Sequence, residues 1–120
     1  MENVFDWLQN WYKSQCDGDW EHEYGIDIKT VDNPGWYITI NLTGTECENC
    51  TFLPVKFNKD ETNWYFCLQR NKNFEASGGA CNLIEILEIF RHWVENCQRL
   101  SKDTKLENQH RVINERNEGI

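Results

Sequence analysis

Nine consecutive residues, Cys16-Asp17-Gly18-Asp19-Trp20-Glu21-His22-Glu23-Tyr24, hold four carboxylates and one imidazole. These are the side chains that bind cations, exchange protons or attract a basic protein surface. Read as extended chain, Trp20, His22 and Tyr24 share one face while Glu21 and Glu23 share the other, giving an acidic edge flanked by aromatics. Four like charges in so short a span repel one another, so the segment reads as an interface for a cationic surface, with a solvated strand start as the bland alternative. A calcium loop of the helix-loop-helix kind needs ligands at fixed alternate positions and a distal bidentate Glu, and this register lacks both. Acid–base and nucleophilic chemistry find little support either. His22, His92 and His110 fall on separate elements, and no serine sits in a nucleophile-elbow pattern.

Cys47-Glu48-Asn49-Cys50 is a lone CxxC. Structural zinc needs four ligands, usually as two such pairs, and Cys16, Cys67, Cys81 and Cys97 are scattered singly. A thioredoxin-like motif opens a helix after a strand, whereas this pair lies in a polar loop. Cys67 and Cys97 fall on apolar faces and read as small core hydrophobes. Ser77-Gly78-Gly79 stands ahead of a helix, where free amides can cradle a phosphate, but no lysine is near and the acidity of the chain opposes an anion. A turn is the expected reading. No catalytic residue, cofactor site or metal ligand is assigned, and the chain is expected not to be an enzyme. The alternative is a small metal- or thiol-dependent enzyme using Cys47, Cys50 and the Asp17 to Glu23 cluster.

The elements that must carry these residues follow from periodicity. Val4, Leu8, Trp11 and Tyr12 recur at helical spacing from Asn3 to about Cys16, with Trp7 on the flank, Asn3 as cap and Asp6 in the first turn. Gly18 follows where a left-handed residue ends a helix. Tyr24, Ile26 and Ile28, then Trp36, Ile38, Ile40 and Leu42, alternate with polar neighbours around Asp32-Asn33-Pro34-Gly35, which predicts an antiparallel hairpin whose turn uses a positive φ at Gly35. Val55 and Phe57, then Trp64, Phe66 and Leu68, predict a second hairpin. Phe74 to Ala76 reads as a short edge strand. Leu83, Ile86, Leu87, Phe90, Val94 and Cys97 form one apolar stripe behind Asn82 and Glu85, a capping-box variant. The expected fold is α+β: an antiparallel four- or five-stranded sheet with an N-terminal and a C-terminal helix packed on one face. Residues 1–98 form a single domain, and 99–120 a polar tail, peripheral or partly helical. By the same spacing Trp36, Trp64 and Trp93 belong to the core, whereas Trp7 and Trp20 are the candidates for exposure.

The chain has 120 residues and six tryptophans, enough for one core. Its net charge of −8 is lopsided: residues 1–50 hold ten acids against two lysines, and the remainder is balanced. Such a half repels phosphate backbones and anionic lipid and attracts basic proteins, so neither nucleic acid nor membrane is an expected partner. Residues 1–12 have neither a basic start nor an unbroken apolar run, which points to a cytoplasmic protein with free thiols.

Trp11-Tyr12, Ser14 to His22, Tyr24-Gly25-Ile26 and Asp32 to Trp36 together resemble the immunity protein 53 family, and Leu83 to Arg91 with Trp93-Val94 resembles its closing helix. The likeness covers about Val4 to Glu95; the loop at Cys47 to Cys50 and the tail after Arg99 depart from it. The resemblance implies an antitoxin of a bacterial polymorphic or contact-dependent toxin system, binding a cognate toxin domain, a nuclease among the candidates, as a monomer or homodimer. It carries Asp17, Asp19, Glu21 and Glu23 over as toxin contacts, beside which Trp20 and Trp7 are the aromatic candidates.

Overall fold

A computed structural model describes the backbone of residues 2–118 and the side chains of residues 2–100. Helix α1 spans Val4–Gln15 and buries Val4, Leu8 and Trp11; Asn3 caps it, its Oδ1 accepting the Phe5 amide at 2.7 Å. Helix α2 is a single turn, Trp20–Glu23. Five strands follow: β1 (Ile26–Val31), β2 (Gly35–Asn41), β3 (Val55–Asp60), β4 (Asn63–Arg70) and β5 (Asn73–Gly78). Helix α3, Leu83–Glu118, closes the chain. The tail expected at 99–120 falls, from Ser101 onward, outside the described side chains.

All pairings are antiparallel and the order is β1-β2-β5-β4-β3. The expected α+β fold with a five-stranded sheet and a helix at each end is therefore the observed one. Residues alternate across the sheet, so register assigns the faces. Ile38 and Ile40 on β2, Phe74 and Ala76 on β5, and Cys67 on β4 meet Ile86, Leu87, Phe90 and Val94 of α3 and Leu8 and Trp11 of α1 in one core. The face with Asp27, Thr39, Asn41, Asn73, Glu75, Phe66 and Arg70 points away from it.

Four expectations need correction. First, β5 is the central strand, not an edge: Phe74, Glu75 and Ala76 are all buried, and the acid is accommodated because Arg70 and Tyr37 bind it. Second, Trp64, Phe66 and Leu68 lie on the outer face. Tyr65 and Cys67 take the core side instead, opposite Gly78 and Ala76; both alternating sets of β4 are apolar, so period alone does not choose between them. Third, Gly35 does not use a positive φ. Its Cβ would stand 2.4 Å from the Gly78 carbonyl oxygen, so glycine is required there by close approach of β2 to β5. Fourth, Asn82 meets Glu85 side chain to side chain, but its Oδ1 accepts the Trp64 amide of β4 at 3.2 Å and so ties the start of α3 to the sheet.

Indole nitrogens fasten the irregular segments. Trp11 donates to Glu46, Trp20 to the Thr43 carbonyl, Trp36 to that of Ala80 and Trp93 to that of Thr51. Each donor is satisfied while its ring fills the interior or its margin.

Candidate functional site

The acidic segment between α1 and β1 folds as a turn followed by α2, not as extended chain. Asp17 Oδ1 accepts the amides of Asp19 at 2.9 Å and Trp20 at 3.0 Å. Glu21 reaches back to the amides of Asp17 and Gly18, both at 3.0 Å. Gly18 supplies the bend with φ +98°. The amides of Trp20 and Asp19 hold the Asp17 carboxyl below the usual range, and Glu21 is lowered by its own amide and those of Gly18 and Asp17. Two of the four predicted acids thus hold the loop, while Asp19 and Glu23 stand exposed with no such duty.

The aromatic candidates separate. Trp20, expected at the surface, is 5% exposed. Its ring lies edge-on to Trp11 at 6.2 Å and contacts Tyr12 at 5.9 Å and Tyr24 at 6.5 Å. Helical winding turns it inward, where the extended reading had placed it alternately with the acids. Trp7 is half-buried in the seam between α1 and α3, 6.0 Å from Phe90 and beneath the Arg91 guanidinium at 5.8 Å. It is apart from the acidic turn.

Beside that turn opens a cleft of about 570 Å³, lined by Tyr12, Glu23, Tyr24, Gly25, Ile26, Asp27, Thr39, Asn41 and Asn73. Of the predicted contact residues only Glu23 lines it; Trp20 stands behind two of its walls. Sequence reading missed Asp27, Asn41 and Asn73 because they converge only through register, Asp27 opposite Thr39 and Asn41 opposite Asn73. Tyr24 is legible as an aromatic neighbour of the acids and Tyr12 only as part of the apolar spacing of α1, which the structure leaves exposed at that position; neither is legible as a wall.

Cys47, Cys97 and the amide of Gly79 are committed elsewhere. Cys47 is fully buried, and burial with Cys97 alongside pushes its thiol well above the usual value; Cys97 is pushed up to about 12. A nucleophilic or metal-binding thiol needs the opposite shift. Among the described residues no group of three or more His, Cys, Asp or Glu side chains is arranged to hold a metal ion. The Gly79 amide donates to the Trp64 carbonyl at 2.9 Å, so it is not available to a phosphate.

A cleft with acidic and tyrosyl walls suits recognition of a cationic group. The sequence profile of Immunity protein 53 matches residues 5–95. The chain belongs to the immunity protein 53 family. The match takes in α1 from its second residue, the acidic turn, the whole sheet and α3 as far as Glu95, so every residue of the cleft lies within the family's span. An immunity function in general follows from that membership, with a toxin as the kind of partner. No curated protein and no solved structure matches the chain.

Proposed function

We propose that this protein is a cytoplasmic antitoxin that neutralises the toxin domain of a bacterial polymorphic or contact-dependent system by binding it through an acidic surface. Family membership over residues 5–95 carries the reading. Charge supports the choice of surface: ten of the acids fall in residues 1–50, and Asp19, Glu23 and Asp27 are exposed around one turn and the strand that follows it. A basic partner gains most from such a field, and enzymes that act on nucleic acid are commonly basic, so a nuclease domain is the toxin class that fits best. The Asp17 and Glu21 carboxylates contribute charge while holding the turn that presents their neighbours. Trp20 acts from beneath the surface.

The test is co-expression with the toxin domain encoded beside this chain, scored by cell survival and by co-purification. Rescue with a stable complex is expected, and size-exclusion chromatography of that complex assigns the copy number. Toxicity undiminished by soluble, folded protein would overturn the reading.

A further inference from the structure

We propose that the cleft bounded by Tyr12, Tyr24, Glu23 and Asp27 is a receptor for a single arginine side chain presented by a basic partner protein. The identity of that partner rests on the antitoxin reading; the chemistry of the cleft does not.

Three independent features point to a guanidinium. The first is charge without compensation: among the described residues no salt bridge involves Glu23 or Asp27, although the cleft brings both to one opening. Lys29, two positions along from Asp27, is turned to the Tyr37 ring at 5.4 Å. The second is the pair of phenol rings. Tyr12 and Tyr24 each contact the buried Trp20 ring, which is fixed by its bond to the Thr43 carbonyl, so both walls stand on a rigid support. Flat rings beside carboxylates favour a planar, weakly hydrated cation over a compact ammonium. The third is an orphan acceptor. Asn73 lines the cleft, and its Oδ1 is buried with no hydrogen-bond partner among the described residues. A buried carbonyl without a donor costs stability, and because the Asn73 side chain is only half-buried, a turn of that side chain would present the carbonyl to a group that brings several donors in one plane and can serve a carboxylate as well. Lysine offers one charge centre at the end of a flexible stem and matches this spread of acceptors less well.

The Glu23 and Asp27 side chains are exposed and, among the described residues, enter no salt bridge, so Glu23→Gln and Asp27→Asn variants are expected to melt with the wild type. Each should weaken binding of the adjacently encoded toxin domain about tenfold, and the double variant more. Phe66→Ser, on the outer sheet face beyond the cleft, should bind normally. In parallel, N-acetyl-arginine amide titrated into isotope-labelled protein should move the resonances of Tyr24, Asp27, Asn41 and Asn73, including the Asn73 side-chain amide, with N-acetyl-lysine amide moving them less. Toxin binding retained by the double variant, or lost only in Phe66→Ser, would overturn the cleft while leaving the antitoxin reading intact. Absence of a wild-type toxin complex would overturn the antitoxin reading instead, and the amide titration would then decide the cleft: localised shifts uphold it, and no preference for arginine overturns it.

Discussion

Glu46 was unremarkable as one acid in a polar loop, yet it is the residue on which three segments converge. Its carboxylate accepts from the Trp11 indole at 2.7 Å, from Gln15 at 3.0 Å and from Gln98 at 3.0 Å. Removal would leave the Trp11 donor, on a ring only 4% exposed, without a partner and would release the loop from both long helices. An unsatisfied buried donor costs about 1–3 kcal/mol, so Glu46→Ala should lower unfolding free energy by roughly 2 kcal/mol in urea denaturation. Glu46→Gln, which keeps one acceptor oxygen, should cost less. Equal stability of all three proteins would show that the Trp11 indole finds another acceptor. The comparison with Asp17 and Glu21 is instructive, since the charge pattern marked them as partner contacts while their amide partners make them turn-formers as well.

At the scale of elements, what was legible depended on whether information was local. Helix α1 was readable to its cap because Asn3, Asp6 and the spacing of Val4, Leu8 and Trp11 all lie within the helix or beside it. Both hairpins were readable from alternation and turn residues. Strand order was not, because β5 pairs with β2 across a separation that no periodicity records, and a strand with an acid at its centre looks like an edge until Arg70 is seen against Glu75 at 2.8 Å. The face of β4 was misread because Trp64, Phe66 and Leu68 compete with Tyr65 and Cys67. The β4–β5 turn had a readable signature in Asn71, which with Lys72 takes positive φ of 54° and 63°, the two-residue geometry that suits a tight hairpin. The central placement of β5 is itself testable. Gly35→Ala would drive a Cβ against the Gly78 carbonyl at 2.4 Å, a backbone atom that cannot swing aside. Overpacking of this kind costs about 1–3 kcal/mol. A matching fall in denaturation midpoint is expected, whereas Gly44→Ala, whose added methyl meets nothing closer than 3.8 Å, is limited to the strain of its φ of +77°. Were Gly35→Ala to melt like the wild type, β2 and β5 would not approach as described.

For the whole molecule the acid excess and the engaged carboxylates make opposing demands, and pH separates them. The net charge of −8 is a source of self-repulsion, relieved as ordinary carboxylates take up protons near pH ~4. Against this stand groups whose folded pKa is lowered: Glu75 by Arg70 and then Tyr37, Asp17 by the amides of Trp20 and Asp19, and Asp60 by the Thr62 amide and hydroxyl. A lowered folded pKa means that the unfolded chain binds the proton first. The stability these groups contribute is therefore fully present above their unfolded values and is lost as pH falls through the folded ones. Relief of repulsion comes first and loss of the bound carboxylates second, because the second group titrates lower. The thermal midpoint should accordingly hold level or rise slightly as pH falls from about 7 to about 4, then drop steeply below that range. Glu75 is the decisive contributor, since it is 7% exposed and ties its own strand β5 to Tyr37 on β2 and Arg70 on β4. In Glu75→Gln the midpoint at neutral pH should already be lower and the acid drop correspondingly shallower. A midpoint that declines steadily from pH 7, in wild type and variant alike, would mean that some other group governs acid unfolding and that the Arg70–Glu75–Tyr37 cluster contributes little to holding the sheet together.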